Sequence, residues 1–376
     1  MTYYILHIIY YIISFSYFLL ICWYIYGWLR LKRFTEIKNS FVTKVSIIIP
    51  ARNEESNIEN CLQNVFEQGF PKELMEVIVV DDHSTDKTLE KITNYKLQIT
   101  NLKVIRLNEN KTGKKAAITS AIAEANGELI ITTDADCIMG DKWIGTIVSY
   151  YEKYRPKMIA GPVCFHKEKN IFEKFQTLEF LSLIGISAAA INNKKPIMCN
   201  GANLTYQKNI FYDVGGFQSV NEVASGDDVF LMLKIAKDYP NGIHFLKSLD
   251  ATVYTTAKKT IAEFIQQRKR WASKTSKYQD WSIRAIALIV YMFNVSILAG
   301  FILSFYYPYL LAVFLFQFIF KIIIEGVFLS FVVSFFNRKD LLSLFLPLQF
   351  FYSVYVVVIA TISPFGKYQW KKRSVK

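Results

Sequence analysis

The sequence predicts an α/β domain on a doubly wound, mostly parallel sheet, flanked by transmembrane helices. Short β-rich runs alternate with helix-period stretches between residues 45 and 132. Acidic or polar motifs fall at the carboxyl ends of those runs. Apolar residues, 52% of the 376, crowd into the two ends of the chain. Strand–helix alternation of this length implies a mostly parallel sheet with helices on both faces, and such sheets bind ligands at the carboxyl ends of their strands.

From the N-terminus, Tyr3 to Leu29 is nearly all apolar and holds no Lys, Arg, Asp or Glu. It is long enough to cross a bilayer, which takes about 20 apolar residues, and Tyr and Trp gather near its ends as at membrane interfaces. A cleaved signal would show a basic start, a shorter apolar run and a small-residue cleavage site. Residues 1–30 therefore read as an uncleaved anchor. Arg30, Lys32 and Arg33 follow it, which predicts an outside N-terminus and a cytoplasmic soluble domain.

That domain is expected over residues 44–278. Its strands are read at Val45–Ile49, Val77–Val80, Lys103–Leu107 and Leu129–Thr132, and its helices at Glu55–Gln68, Asp86–Leu97 and Lys114–Ala125. No internal repeat or low-complexity linker divides it. Ile171–Ala190 carries Phe172, Phe175, Leu178 and Leu181 at helical intervals, which suits either a membrane-surface helix or core packing. The C-terminal membrane region, 283–363, holds two to three spans. Ile283–Ser304 and Leu341–Ile362 each read as one. Tyr309–Phe336, interrupted by Lys321 and Glu325, reads as one long span or as a short span ending near Phe320 with an interfacial helix after it. Four spans in total would place the basic tail, 364–376, outside, against the charge rule, unless a segment is re-entrant.

The net charge of +13 could suggest nucleic acid. The basic residues instead flank the membrane segments: Lys258, Lys259, Arg268, Lys269, Arg270, Lys274 and Lys277 on one side, Lys371, Lys372 and Arg373 in the tail. Attraction to an anionic leaflet explains that distribution, so membrane lipids are expected partners and nucleic acid is not. Five scattered cysteines without C-x-x-C spacing read as buried free thiols.

The motifs carry the chemistry. Asp81-Asp82-His83-Ser84 ends a buried strand; it suits a helix cap, and its paired carboxylates also suit a nucleoside's N–H and hydroxyl groups. His83 tolerates the left-handed backbone that such a turn uses. Asp134-Ala135-Asp136 places two carboxylates on one side of an extended backbone, where both can face one hard cation that also holds phosphate oxygens. Gly113-Lys114 opens a helix, a position favourable to anions. Gly226-Asp227-Asp228 opens another, as a cap or as the carrier of a general base. In Gln267-Arg268-Lys269-Arg270-Trp271 the Gln and Trp share one helix face; Arg270 can grip a diphosphate, and Trp271 can stack on a sugar. A basic–aromatic membrane-surface helix is the plainer account of the same run. Asn200-Gly201-Ala202-Asn203 offers a glycine turn where backbone can approach a ligand closely.

In this order and between apolar segments, these motifs resemble the membrane-bound family 2 glycosyltransferases of the processive type with Q-x-x-R-W. These inverting enzymes include cellulose, hyaluronan and poly-N-acetylglucosamine synthases. The resemblance covers roughly Lys44 to Lys274 and the membrane layout on both sides. It implies a GT-A-like fold and a nucleotide-sugar donor, UDP-linked. It assigns backbone contacts to Ala51, a nucleoside contact to Glu54, the uracil nucleotide to Asp82 and the diphosphate to Lys114. Asp136 becomes the direct ligand of Mg²⁺ or Mn²⁺, with Asp134 beside it. Asp228, three residues before Leu231, becomes the base, and Gln267, Arg270 and Trp271 serve the leaving diphosphate and the acceptor. The chain departs from the family pattern at His83, commonly Gly, and at Gly226-Asp227, which replaces Thr-Glu.

The expected activity is a metal-dependent, inverting hexosyl or N-acetylhexosaminyl transfer to a hydroxyl on a lipid or glycan, in a bacterial inner membrane. One or a few additions are favoured over polymer synthesis and export, because few helices are available to line a channel. A processive polysaccharide synthase, a nucleotidyltransferase and a catalytically inactive membrane scaffold are the rivals.

Overall fold

The computed structural model describes residues 2–38, 40–97, 99–218, 226–273, 280–363, 368–370 and 373–375. Within these ranges, side chains are described from residue 7 to residue 363. Lys274, Lys277, Lys371 and Lys372, read above as lipid-facing, lie outside the described residues.

Helix α1 (Thr2–Arg30) precedes the first half of the sheet, which is built as β1 (Val45–Ala51), α2 (Ile58–Phe66), β2 (Met75–Asp81), α3 (Thr88–Lys96), β3 (Leu102–Arg106), α4 (Lys114–Glu124) and β4 (Leu129–Thr132). These four strands are parallel in the order β3-β2-β1-β4. They are short, and β1, β2 and β4 are largely apolar and buried, with Ile47, Ile48 and Ile49 fully so, as strands covered on both faces must be; β3, at the edge, is only partly buried. The chain winds away from β1 in one direction through β2 and β3 and returns to its other side at β4. That reversal opens a crevice between the carboxyl ends of β1 and β4. Register levels its walls: Ala51 lies opposite Asp81, and Ile48 opposite Thr132.

The second half follows as β5 (Ile138–Met139), α5 (Trp143–Tyr154), β6 (Met158–Ala160), β7 (Val163–Phe165), α6 (Ile171–Asn192), β8 (Leu204–Gln207), α7 (Lys208–Asp213), α8 (Asp227–Asp238), β9 (Ile243–Phe245), β10 (Val253–Thr255) and α9 (Ile261–Ala272). Here the sheet turns mixed: β8 runs antiparallel to β4 and β6, and β9 parallel to β6. A separate small sheet joins β5, β10 and β7.

Helices α10 (Trp281–Ser304), α11 (Tyr309–Phe335) and α12 (Phe345–Ile362) follow, with a short hairpin of β11 (Tyr368–Trp370) and β12 (Arg373–Val375). With α1 and α6 they make five helices, among the described residues, that are long and apolar enough to cross a membrane. The Tyr309–Phe336 stretch is thus one continuous helix. Arg338, before α12, pairs with Glu168 (2.8 Å), and β11, after it, packs on α9.

Helix α6 packs against α1 and α11 and buries most of its length, so core packing describes it rather than a surface helix. The approach is close at Gly27, where a Cβ would stand 2.5 Å from the Ala189 carbonyl oxygen. Buried Lys247 fastens α1 to the domain. Its ammonium donates to the carbonyls of Trp28 (3.0 Å) and Leu31 (3.1 Å) and lies 3.9 Å over the Trp28 ring. These are carbonyls at the end of α1 that lack helical partners. Burial, with Arg33 nearby, lowers the Lys247 ammonium to about 8.

The strap between α1 and β1 closes on Glu152 of α5, whose carboxylate accepts from Lys38 Nζ (2.7 Å) and from the Val42 and Thr43 amides (3.0 Å each). Burial would raise this carboxyl, but those donors outweigh it and hold it at about 2, against an ordinary 4.5. A depressed carboxylate stabilises the fold fully above its unfolded value, and that stabilisation is lost as pH falls through the folded one. Glu152→Gln should therefore lower the Tm at pH 7, and the deficit should narrow as pH falls from 4.5 towards 2. A pH-independent deficit in thermal unfolding would assign the strap to shape rather than charge.

Candidate active site

The first wall of the crevice is the pair of loops after β1 and β2. Asn53 sits at φ 51° and His83 at φ 55°, both left-handed. The loops are laced together: Asn53 N donates to Ser84 Oγ (3.1 Å), Thr85 N to Asn53 Oδ1 (2.8 Å) and Arg52 Nη1 to the Asp82 carbonyl (2.6 Å). The acidic doublet splits. Asp81 is fully buried and accepts from Ser84 N (3.3 Å), so it serves the turn. Asp82 faces the cavity with Ala51 and Glu54 and accepts from Gly113 N (3.1 Å). Glu54 also holds Asn57 Nδ2 (2.8 Å).

The opposite wall follows β4. Asp134 and Asp136 are half-buried, flank buried Ala135, and both line the cavity. Behind them lie Cys61 and Cys137, both fully buried. Burial, and then Asp136 and Asp134, push these two thiols up, so they stay neutral. All five cysteines are free, as read from spacing, although Cys22 and Cys199 are only half-buried.

Lys114 joins the walls. Gly113, at φ 92°, ends the loop before α4. The Lys114 ammonium then reaches 2.5 Å from Asp134 Oδ1 and 3.9 Å from Asp227 Oδ2. Burial opposes its charge, but Asp134 and Asp227 outweigh that and hold it protonated. Asp227 is buried at the start of α8. Asp228 lines the cavity, and its Oδ2 accepts from Gly201 N (3.1 Å). A Cβ at Gly201 would meet Lys114 Nζ at 3.2 Å, so glycine lets the two approach. The rest of that motif is structural: Asn203 is buried and donates to the carbonyls of Pro162 and Ala251 (2.8 Å each).

Helix α9 supplies the third wall. It starts with a capping box between Thr260 and Glu263. Gln267, Arg270 and Trp271 all line the cavity, half-buried. The motif residue passed over in the sequence, Arg268, is the most buried of them. Its guanidinium makes a two-pronged pair with Glu179 of α6 through Nε (3.1 Å) and Nη2, and donates from Nη1 to Gln267 Oε1 (2.5 Å). It lies 4.5 Å from the Phe264 ring and 4.3 Å from that of Trp271. Tyr355 of α12 donates to the same Glu179 (3.1 Å). One buried ion pair thus sets two of the predicted residues. The available signal was Glu179, the one charged residue of α6 after Phe175.

These walls enclose one cavity of about 680 Å³, which continues from the carboxylates down between α1, α10, α11 and α12. Among the described residues no cluster of three or more His, Cys, Asp or Glu forms a metal cage. Asp134 and Asp136 still fit Mg²⁺ or Mn²⁺, because such ions are commonly held by one or two carboxylates, with substrate phosphates and water completing the shell.

Residues 46–216 match the family profile described as Glycosyl transferase family 2. Glycosyltransferase AglE of Haloferax volcanii is 28% identical over 190 residues, covering 49% of this chain and 59% of that protein. Poly-beta-1,6-N-acetyl-D-glucosamine synthase of Staphylococcus epidermidis is 24% identical over 287 residues, covering 71% of this chain and 65% of that one. The chain thus spans less than two thirds of the length of either relative. Mannosyltransferase PcManGT from Pyrobaculum calidifontis, solved in complex with GDP-Man and Mn²⁺, shares the fold at a TM-score of 0.59 and 18% identity. That match covers 95% of this chain and 96% of that one. Residues 46–216 thus carry the match to a family 2 glycosyltransferase domain, on a GT-A-like α/β fold with a mostly parallel central sheet.

The Arg268–Glu179 pair generates a stability prediction. Glu179→Ala leaves a buried guanidinium unpaired and should cost about 3–5 kcal/mol, whereas replacing both partners by apolar residues should cost much less. Thermal unfolding of the single and double variants checks this; equal losses would contradict a buried, coupled pair.

Proposed function

We propose that this glycosyltransferase moves a sugar from a nucleotide-diphosphate donor, UDP-linked, to a hydroxyl of a lipid or glycan acceptor at the membrane, with inversion. The convergence of Asp82, Lys114, Asp134, Asp136 and Asp228 on one cavity at the sheet's switch point carries this reading. Ala51, Glu54 and Asp82 take the nucleoside. Lys114 turns from Asp134 to the diphosphate. Asp136, with Asp134, would hold Mg²⁺ or Mn²⁺, which neutralises the departing diphosphate when bound.

Asp228 takes the proton from the acceptor hydroxyl. As the acceptor oxygen bonds to the anomeric carbon, the bond from that carbon to the phosphate oxygen breaks, and nucleoside diphosphate leaves with the electron pair. Gly201 N–H orients Asp228, Arg270 faces the leaving group, and Gln267 and Trp271 face the acceptor. Placed charge of this kind is commonly the largest catalytic contribution. The basic residues after α1 support a cytoplasmic domain on an inner membrane. Tight packing among the apolar helices favours one or a few additions over processive export: Phe293, Phe314 and the bonded trio Ser14–Gln317–Ser296 are all buried there.

Chelator should abolish transfer, Mn²⁺ or Mg²⁺ should restore it, and Asp136→Ala should stay inactive in either ion. Full nucleotide release in chelator would remove the metal from the scheme. Asp228→Asn should lower transfer by about 10²-fold or more while donor affinity changes little. An active Asp228→Asn beside an inactive Asp227→Asn, in steady-state kinetics, would move the base by one residue.

A further inference from the structure

The cavity does not end in apolar side chains. Its floor between the membrane-type helices holds Asn294, Glu325, Gln349 and Tyr17. Asn294 lies 13 residues into α10, and Tyr17 lies 13 residues before the end of α1, so each is about 20 Å from the catalytic end of its helix. Most of the polar groups there satisfy one another. Lys321 donates to Glu325 (2.8 Å) and to Gln349 and lies 4.9 Å over the Tyr352 ring, and Tyr17 donates to Glu325. The set is neutral overall.

Asn294 breaks the pattern. It is 1% exposed, its Nδ2 donates to the Val290 carbonyl (2.8 Å), and its Oδ1 has no hydrogen-bond partner among the described residues. A buried acceptor without a donor is costly, the more so in a segment apolar enough to lie in lipid, and polar residues in such segments mark ligand sites. What is missing is a hydrogen-bond donor.

We propose that this floor is a hydroxyl-binding subsite for the distal end of a short saccharide acceptor. Asn294 Oδ1 accepts from a sugar hydroxyl, with Glu325 and Gln349 beside it. An alkyl chain offers no donor and would leave the carbonyl stranded. The walls between Asp228 and the floor include Trp271, Tyr24, Phe328 and Tyr352. Apolar rings with a few placed polar groups are the usual lining of a small-ligand site. At the floor Tyr17 stacks on buried Phe293, with ring centroids 4.0 Å apart. The chamber therefore holds a bounded number of sugars, and the distance from Asp228 to Asn294 limits acceptor length. The subsite rests on the transferase reading given above for the reacting end of the acceptor.

The test is calorimetry on the full chain in lipid nanodiscs, with oligosaccharides of glucose and of N-acetylglucosamine two to six units long. Wild-type affinity should rise with length to a plateau. Asn294→Leu and Asn294→Ala should each lower the ratio of longest-to-shortest affinity about tenfold or more, a ratio that a folding defect does not change. Without ligand Asn294→Leu, which removes the stranded acceptor and keeps the volume filled, should not lose thermal stability. An unchanged ratio, no saccharide binding, or a loss of ligand-free stability in Asn294→Leu would overturn the subsite. So would tighter binding of long-chain alcohols by Asn294→Leu, which would make the chamber a lipid pocket. Calorimetry needs no turnover. Length-dependent binding with no nucleotide release from any donor would sink the transferase reading and leave the subsite, and release without such binding would do the reverse.

Discussion

The site is arranged around the charge of Lys114. Asp134 and Asp227 both approach its ammonium, and Asp228 begins the same helix as Asp227. Without that cation their mutual repulsion would splay the crevice. Each contact has a backbone condition. Gly113 takes a positive φ so that α4 begins at Lys114, Gly226 takes one so that α8 begins at Asp227, and Gly201 has no Cβ where Lys114 must pass. The register of β1 against β2 and β4 then brings the loops level. Under the proposed function, a donor diphosphate would compete for the same ammonium and free Asp134 to act beside Asp136.

Much of this was legible in the sequence, for physical reasons. The four parallel strands are short β-rich runs ended by polar loops, and their positions were read to within two residues. Asp82, Lys114, Asp134, Asp136 and Asp228 all stand where strand or helix ends place them. The mixed half of the sheet was not read, because β6, β8 and β9 are only three or four residues long and carry no periodicity to detect. Arg268 was passed over because its partner, Glu179, lies 89 positions away. The contacts at the two flanks of α12 join it to Glu168 and α9, which hydropathy does not register.

The membrane side and the catalytic side are one construction. Lys247 closes the last carbonyls of α1, α6 runs from the sheet into the helices, and Glu179 receives Arg268 from α9 and Tyr355 from α12. A shift of α12 would therefore be felt at Gln267 and Trp271. The continuous cavity is the space left by this arrangement, with the carboxylates at one end and Asn294 at the other.

The central claim is a single displacement at the anomeric carbon with Asp228 as the base. The anomeric configuration of the product tests it most directly. Proton NMR of the product made from an α-linked nucleotide sugar should show only a β linkage, with one nucleoside diphosphate released per sugar transferred. An α-linked product would contradict the account, because retention requires a different chemical route from the one that this arrangement of carboxylates supports.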